Sequence, residues 1–202
     1  MEIEYKLAPA PRERLEAVLL DGALNGHLSP PRTLLLHTVY YDTPDCALAR
    51  AHIMLRLRTE NGAGVCTVKA PSGLRHARLE YERPARTAAD GVHALLDSGE
   101  LPEFVAQALR SGAFAPCGEA RFTRTVYTLT MPDFSCEVCG DYGTLSACGR
   151  SEPVCELELE LLQGDAAALH ALALRLSHDY DLPLSSRSKS ARVRALREKE
   201  HE

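Results

Sequence analysis

The feature that most constrains this chain is a strict alternation of charged and apolar side chains in two short segments. Residues 2–7 carry a charge at every even position, and residues 155–162 carry glutamates at positions 156, 158 and 160. Successive side chains of a β-strand point to opposite faces, so each segment predicts a strand with one apolar and one charged face. A single strand of this kind usually turns its charges to water. Several of them, curled into a closed sheet with the charges inside, would line a lumen with acids and bases, and we expect that lumen to be the active site.

Two neighbouring segments in the first half of the chain predict a β-hairpin. The runs His52–Thr59 and Val65–Lys69 are rich in apolar residues and flank the short loop Asn61-Gly62-Ala63-Gly64. Paired runs around a loop with glycine are typical of hairpins. This hairpin would gather three cations in one patch: Arg56, Arg58 and Lys69.

From residue 88 onward the sequence predicts a mixture of helices and strands. Strands are expected at residues 119–130, 134–140, 144–147 and 154–162, and Asp141-Tyr142-Gly143 predicts a turn between the second and the third. Helices are expected at residues 88–97, 102–110, 165–178 and 186–200. The last of these helices places Lys189 and Arg192 on one face, because they are three residues apart. The whole pattern predicts an α+β protein.

Charge and cysteine content exclude several classes of protein. The net charge of −5 argues against a broad surface for nucleic acid or an anionic membrane, and no apolar run approaches the ~20 residues of a membrane-spanning helix. Seven irregularly spaced cysteines suit reduced thiols, so a cytoplasmic location is expected. A zinc site at Cys136 and Cys139 is disfavoured because the two thiols would point to opposite faces of a strand. One domain, residues 1–202, is the expected organisation.

The inward charges need partners of opposite sign. Carboxylates aligned on a strand repel one another, and hard divalent cations such as Mg²⁺ prefer carboxylate oxygens as ligands. Clustered lysines and arginines have the matching need, which a ligand with several phosphates meets. Acids for a metal and bases for phosphates together indicate metal-assisted attack on a phosphoryl group. The chain has no Gly-x-x-x-x-Gly-Lys loop, so a P-loop protein is excluded.

An ordered set of motifs resembles the CYTH family of triphosphate tunnel metalloenzymes, and most closely the bacterial inorganic triphosphatases. The motifs are Glu2-x-Glu4-x-Lys6, Tyr40-Tyr41-Asp42-Thr43-Pro44, Leu55-Arg56-Leu57-Arg58, Thr67-Val68-Lys69, Arg78-x-Glu80, Asp141-x-Gly143, Glu152 to Leu161, and Ser188-Lys189-Ser190-x-Arg192. The resemblance runs from residue 2 to about residue 196. The chain departs from the family pattern at Val193 and Arg194, where a glycine and an aromatic residue are common.

The resemblance implies a closed eight-stranded antiparallel β-barrel, with triphosphate in its tunnel and one or two Mg²⁺ or Mn²⁺ ions. It implies three sets of site residues. The metal ligands would be Glu2, Glu4, Asp141, Glu156, Glu158 and Glu160. The phosphate-binding residues would be Lys6, Arg56, Arg58, Lys69, Arg124, Lys189 and Arg192. Glu80 and Glu137 would be supporting acids, and the catalytic contribution is expected from Glu4, Glu158, Lys6 and Arg56.

The resemblance predicts hydrolysis of inorganic triphosphate to pyrophosphate and phosphate, and it leaves other activities open. Hydrolysis of thiamine triphosphate or another organic triphosphate belongs to the same fold, as does adenylate cyclisation. A non-catalytic polyphosphate-binding module is the alternative of a different class. The expected partner is a small-molecule triphosphate, with no nucleic acid or membrane, and the expected state is a monomer or homodimer.

Overall fold

A computed structural model describes residues 3–72, 78–110 and 112–198. Its described strands form one antiparallel sheet in the order β1-β8-β7-β6-β2-β3-β4-β5. Their bounds are β1 Glu4–Leu7, β2 Arg32–Asp42, β3 Met54–Glu60, β4 Ala63–Pro71, β5 Arg78–Pro84, β6 Ala115–Thr130, β7 Phe134–Ala147 and β8 Arg150–Gly164. The helices are α1 Arg12–Leu19, α2 Ala47–Arg50, α3 Ala88–Asp97, α4 Glu103–Arg110, α5 Ala166–Asp179 and α6 Lys189–Glu198. The predicted α+β class and the eight antiparallel strands are confirmed.

The sheet is a curled half-barrel that stays open, so the predicted closure of the barrel is wrong. β1 pairs with β8 and β5 pairs with β4, and in the described ranges neither edge strand pairs with the other. The helix α6 lies against the concave face, packing against β6 and β7. A helix with its side chains is about 10 Å across. The sheet therefore wraps around a helix instead of hydrogen-bonding to its own far edge.

Strand register places the alternating charges on the concave face. Lys6 of β1 lies opposite Glu158 of β8, and Arg124 of β6 lies opposite Asp141 of β7. Directly opposite residues of an antiparallel pair point to the same face. The period-two pattern thus predicted correctly which side chains share a face, and the curl of the sheet turns that face inward.

The convex face is covered by helices in two separate apolar clusters. One cluster joins α1 and α5 to the β1, β6, β7 and β8 half of the sheet, where Leu157 and Leu159 have no exposed surface. The other joins α2, α3 and α4 to the β3, β4 and β5 half. Gly91 lets α3 approach closely, because a Cβ there would lie 2.1 Å from the Cβ of Cys66. These clusters stabilise both halves of the sheet on its convex face. The concave face is occupied by charged side chains and by α6.

The helix α6 carries the last apolar cluster, which lies inside the half-barrel. Val193 and Leu196 pack with Leu36, Tyr40 and Phe122 of the concave face. Val193 stands where the sequence departs from the family pattern. There it faces Gly118, at which an added Cβ would lie 2.3 Å from a Val193 methyl carbon. This packing sets the position of Lys189 at the start of the helix.

The predicted turn at Asp141-Tyr142-Gly143 is wrong, because these residues lie inside the continuous strand β7. Gly143 is needed because the backbone of a neighbouring strand approaches it closely, and not because the chain turns there. A Cβ at this position would lie 2.0 Å from the carbonyl oxygen of Arg121 and 2.4 Å from the Cα of Phe122. A glycine inside a strand often marks such an approach of a neighbouring backbone. The continuous strand also explains why Asp141 is buried in the sheet.

The predicted β3–β4 hairpin is confirmed, with a turn shorter than its loop motif suggested. Asn61 and Gly62 connect the strands, with φ of 47° and 93°. Positive φ at both central residues is the requirement of a type I′ turn, for which Asn-Gly is the preferred pair. Ala63 and Gly64 already belong to β4.

All seven thiols are free. Cys136 lies in the convex-face cluster, whereas Cys139 lies opposite Glu158 on the concave face, so the pair does not converge on a zinc site. None of the helices in the described ranges combines the length and the apolar character needed to cross a bilayer.

Candidate active site

The concave face and the start of α6 enclose a cavity of about 480 Å³. Charged side chains dominate its lining. The cations are Lys6, Arg56, Arg58, Lys69, Arg124 and Lys189, and the acids are Glu4, Glu80, Glu82, Glu158 and Glu160. Tyr40, Met54, Ser188 and Ser190 complete it. Both signs of charge thus converge on one cavity, as the sequence predicted, although it is the cavity of an open half-barrel.

One wall of the cavity, formed by β1, β6, β7, β8 and α6, pairs buried acids with buried cations. The Lys189 ammonium lies 2.7 Å from Asp141 Oδ2, 2.6 Å from Glu156 Oε2 and 2.9 Å from Glu158 Oε1. Lys6 lies 3.1 Å from Glu158 Oε1. Burial by itself would lower the pKa of Lys189, but the charges of the three carboxylates outweigh it and the pKa is raised. Lys189 is therefore charged at any physiological pH and is held among the acids.

Arg124 of β6 connects two acids of this wall, Asp141 of β7 and Glu158 of β8. Its Nε and Nη2 atoms donate to the two oxygens of Asp141, each at 2.7 Å, and Nη2 also donates to Glu158. A two-pronged contact of this kind fixes the guanidinium in orientation as well as in charge. Burial by itself would raise the pKa of Glu158, but Lys189, Arg124 and Lys6 together hold it well below its usual range. The carboxylate of Glu158 is thus ionised and is the centre of the network.

The opposite wall, formed by β3, β4 and β5, also pairs acids with cations. Arg56 lies 3.6 Å from both Glu80 and Glu82, and Lys69 lies 2.9 Å from Glu80. Thr67 donates a hydrogen bond of 2.7 Å to Glu82. Glu82 was not among the predicted site residues, although its two-residue spacing from Glu80 puts it on the same charged face of the strand.

Arg58 is the cation of this wall that lacks an anionic partner. In the part of the chain that the structure describes, no carboxylate lies within 4.0 Å of its guanidinium, and its buried Nε has no hydrogen-bond acceptor. Burial, helped by the like charges of Arg56 and Arg124, lowers the pKa of Arg58 to about 10. A buried charge without a partner is costly, so this side chain indicates an anion that binds in the cavity.

The remaining predicted residues fall into different positions. Asp141 and Glu156 have no exposed surface and lie behind the cavity lining. Arg192 is engaged with Glu152 and Glu156 and lies outside the lining of described residues. Glu137 pairs with Arg32 at 2.7 Å. Glu2 falls outside the described residues, so its place in the site stays a prediction.

Carboxylates in two groups fit a hard divalent cation by their chemistry. Asp141, Glu156 and Glu158 each offer an oxygen within 4.8 Å of the other two, although the Lys189 ammonium contacts all three. In the second group, Glu160 lies directly between Glu4 and Glu137 in the strand register, which aligns three like charges across β1, β8 and β7. Of the predicted metal ligands that the structure describes, Glu4, Glu158 and Glu160 line the cavity, so these carboxylates could hold a metal beside a bound phosphate.

The fold, the charged cavity and the motif order define a class of protein. The chain belongs to the CYTH domain family, with residues 1–193 matched. It is 31% identical over 195 residues to the inorganic triphosphatase of Haemophilus influenzae, a match that covers 95% of this chain and 53% of that protein. The chain therefore spans about half the length of this curated relative.

Solved structures support the same fold. A Hippeastrum protein studied as an adenylyl cyclase candidate, with a dominant triphosphatase activity, superposes with a TM-score of 0.60 at 20% identity, covering 96% of this chain and 94% of that one. A Bacillus halodurans protein, also described as an adenylate cyclase candidate, superposes with a TM-score of 0.58 at 16% identity, covering 93% and 94%. At these identities the likeness concerns the fold alone.

Proposed function

We propose that this chain hydrolyses inorganic triphosphate to pyrophosphate and phosphate in the cavity of its half-barrel, with Mg²⁺ or Mn²⁺ as cofactor. The observation that carries the proposal is Arg58, a half-buried side chain whose Nε is buried without an acceptor and whose guanidinium has no carboxylate partner in the described residues, at the wall of a cavity lined by five further cations. Such a cation is stabilised by a bound anion, and a guanidinium matches phosphate oxygens in geometry. The name of the H. influenzae relative points to the same substrate.

The two walls suit a ligand with several phosphates. Arg56, Arg58 and Lys69 would hold phosphate oxygens from one side, and Lys6 and Arg124 would approach from the other. The second pair is already held by Glu158, so its charges are partly neutralised before substrate binds. The strongest pull on the ligand would therefore come from the β3–β4 hairpin, where Arg58 has no acid to satisfy it.

Glu4, Glu158 and Glu160 would hold the metal, whose charge would polarise a phosphoryl oxygen and neutralise the negative charge that grows as the bond to the leaving group breaks. The arginines and lysines would orient the chain of phosphates, so that the terminal phosphoryl group faces these acids. The register that puts Glu4 directly opposite Glu160 on adjacent strands supports this shared role.

A phosphate-release assay with the purified protein tests the proposal. Inorganic triphosphate, thiamine triphosphate, ATP and long-chain polyphosphate are offered with Mg²⁺, with Mn²⁺ and with a chelator. We expect release from inorganic triphosphate to be fastest and to stop in chelator. Faster phosphate release from thiamine triphosphate or ATP would identify that compound as the preferred substrate instead. Tight triphosphate binding without phosphate release from any compound would indicate a polyphosphate-binding module.

The role of Arg58 is tested by comparing Arg58→Gln with Arg83→Gln. Arg83 lies on β5 and pairs at 2.9 Å with Glu100, a residue outside the cavity lining, so it controls for removing an arginine from the same sheet. Loss of a charge-assisted contact to phosphate should lower kcat/KM for triphosphate by about 100-fold in Arg58→Gln. Equal effects of the two substitutions would contradict the assignment.

The single domain over residues 1–202, the cytoplasmic location and the monomeric or homodimeric state stay predictions.

A further inference from the structure

A second, smaller cavity adjoins the first at the start of α6. It has a volume of about 190 Å³, and Tyr40, Met54, Ser188 and Ser190 line both cavities. Sites for drug-sized ligands usually measure ~300–1,000 Å³. The small volume favours a compact group such as one phosphate over a nucleoside or a thiamine moiety.

The second cavity is positively charged. Arg78, Arg194 and Arg197 line it, and the acid in its lining is Asp42. The Asp42 carboxylate already accepts hydrogen bonds from the backbone N–H groups of Leu48 and Ala49. Arg78 donates to two backbone carbonyl oxygens and, in the described ranges, has no carboxylate within 4.0 Å. Arg194 has one weak contact, 3.6 Å to Glu198. This balance of charge suits an anion.

Tyr40 stands at the boundary between the two cavities. Only 6% of its surface is exposed. Its hydroxyl keeps some accessible surface and makes no hydrogen bond to a described residue. Burial raises the pKa of Tyr40, although the charges of Arg56 and Arg58 oppose the rise, so the phenol keeps its proton and can donate it to an acceptor. A ligand at the boundary of the two cavities could therefore accept a hydrogen bond from this hydroxyl.

We propose that the second cavity is a phosphate subsite that receives a phosphate group beyond the three held in the main cavity, with the Tyr40 hydroxyl donating to it at the boundary. This inference rests on the proposed triphosphatase function. The phosphate could come from two sources. It is either the fourth phosphate of a longer linear polyphosphate or the orthophosphate released by hydrolysis.

The test compares inorganic tetraphosphate with inorganic triphosphate in the wild-type protein and in Tyr40→Phe, Arg194→Gln and Arg194→Lys. Tyr40→Phe removes only the hydroxyl and keeps the ring that packs in the interior cluster. Arg110→Gln is the matched control, because Arg110 is likewise an exposed helix arginine paired with a glutamate of its own helix, here Glu103 at 3.1 Å. The measured quantities are the ratio of kcat/KM for tetraphosphate to that for triphosphate, and the inhibition constant of orthophosphate.

If a fourth phosphate enters the subsite, the ratio should fall about tenfold in Tyr40→Phe and in Arg194→Gln, and Arg194→Lys should recover part of it. If the released phosphate enters instead, the ratio of the two kcat/KM values should stay unchanged, and the inhibition constant of orthophosphate should rise about tenfold in the same variants. An unchanged ratio together with an unchanged inhibition constant would overturn the subsite.

Calorimetric titration in chelator separates this inference from the proposed function. Tetraphosphate and triphosphate are titrated into the wild-type protein and the variants, so the readout does not depend on turnover. A wild-type protein that releases no phosphate from triphosphate would refute the proposed function. The subsite would still be supported if Tyr40→Phe or Arg194→Gln weakens tetraphosphate binding more than triphosphate binding, or weakens the binding of added orthophosphate, and it would be refuted if neither occurs.

Discussion

Replacing Glu158 with glutamine should destabilise the protein far more than the same change at Glu4. Glu158 is 6% exposed and contacts Lys6, Arg124 and Lys189, so its removal leaves three buried cations with less compensation. Breaking a buried ion pair by removing one partner costs about 3–5 kcal/mol. We expect about 3 kcal/mol for Glu158→Gln, because the amide keeps part of the hydrogen bonding.

Glu4 provides the matched comparison on the same wall. Its side chain is 32% exposed and lies 3.4 Å from Lys6. Pairs this open to solvent contribute about 0.2–1 kcal/mol, so Glu4→Gln should cost less than 1 kcal/mol. Urea unfolding in chelator measures both free energies without a contribution from bound metal. For a chain of this size the thermal midpoint should fall by roughly 6–12 °C in Glu158→Gln and by less than about 4 °C in Glu4→Gln.

The pH dependence of unfolding adds an independent check. The pKa of Glu158 in the folded protein lies below its ordinary value of 4.5, so its ion pairs stabilise the protein fully above about pH 4.5. That contribution is lost as the pH falls further towards the folded-state pKa. The difference in unfolding free energy between wild type and Glu158→Gln should therefore narrow below about pH 4.5. A difference that stays constant down to pH 3, or equal losses in Glu158→Gln and Glu4→Gln, would refute the reasoning.

Three further outcomes follow from the structure. Arg58→Gln should raise the free energy of unfolding of the ligand-free protein by about 1 kcal/mol in urea titrations, because it removes a buried charge without an anionic partner in the described residues. Inorganic triphosphate at 100 times its dissociation constant should stabilise the wild-type protein by about 2.7 kcal/mol, seen as a thermal midpoint raised by roughly 5–11 °C, and should stabilise Arg58→Gln much less at the same concentration. Gly143→Ala should destabilise the protein by about 3 kcal/mol or more, because its Cβ would overlap the backbone of Arg121 and Phe122, whereas Gly22→Ala, which meets no atom within 4 Å, should cost less than about 1 kcal/mol in the same assay.

The composition of the concave face could be predicted from the sequence because it depends only on local geometry. Alternation in residues 2–7 and 155–162 places Glu4 and Lys6 on one face and Glu158 and Glu160 on one face, whatever the rest of the chain does. The hairpin loop set the positions of Arg56, Arg58 and Lys69 for the same reason. The structure brings all of these side chains that it describes to one cavity.

Non-local features could not be predicted in this way. The path of α6 depends on packing between Val193 and Gly118, residues far apart in the sequence, and that path decides that Lys189 contacts three acids. The turn predicted at Asp141 failed for a related reason. Gly143, which indicated the turn, is required because the backbone of the neighbouring strand β6 lies close to it. The sequence of β7 alone does not reveal that contact.

The pairing of acids with cations also changes the roles that the sequence suggested for these residues. The sequence suggested that acids serve the metal and bases serve the phosphates, but Lys6, Arg124 and Lys189 already neutralise Glu158 and its neighbours. On that wall Glu4 and Glu160 also line the cavity and lie opposite each other, and on the other wall Arg58 has no carboxylate within 4.0 Å among the described residues. A metal held by acids of the first wall and phosphate oxygens held by Arg58 would attract each other, because the cation and the polyanion carry opposite charges. A bound metal and triphosphate should therefore strengthen each other's binding, and calorimetry of either one with and without the other would measure that coupling.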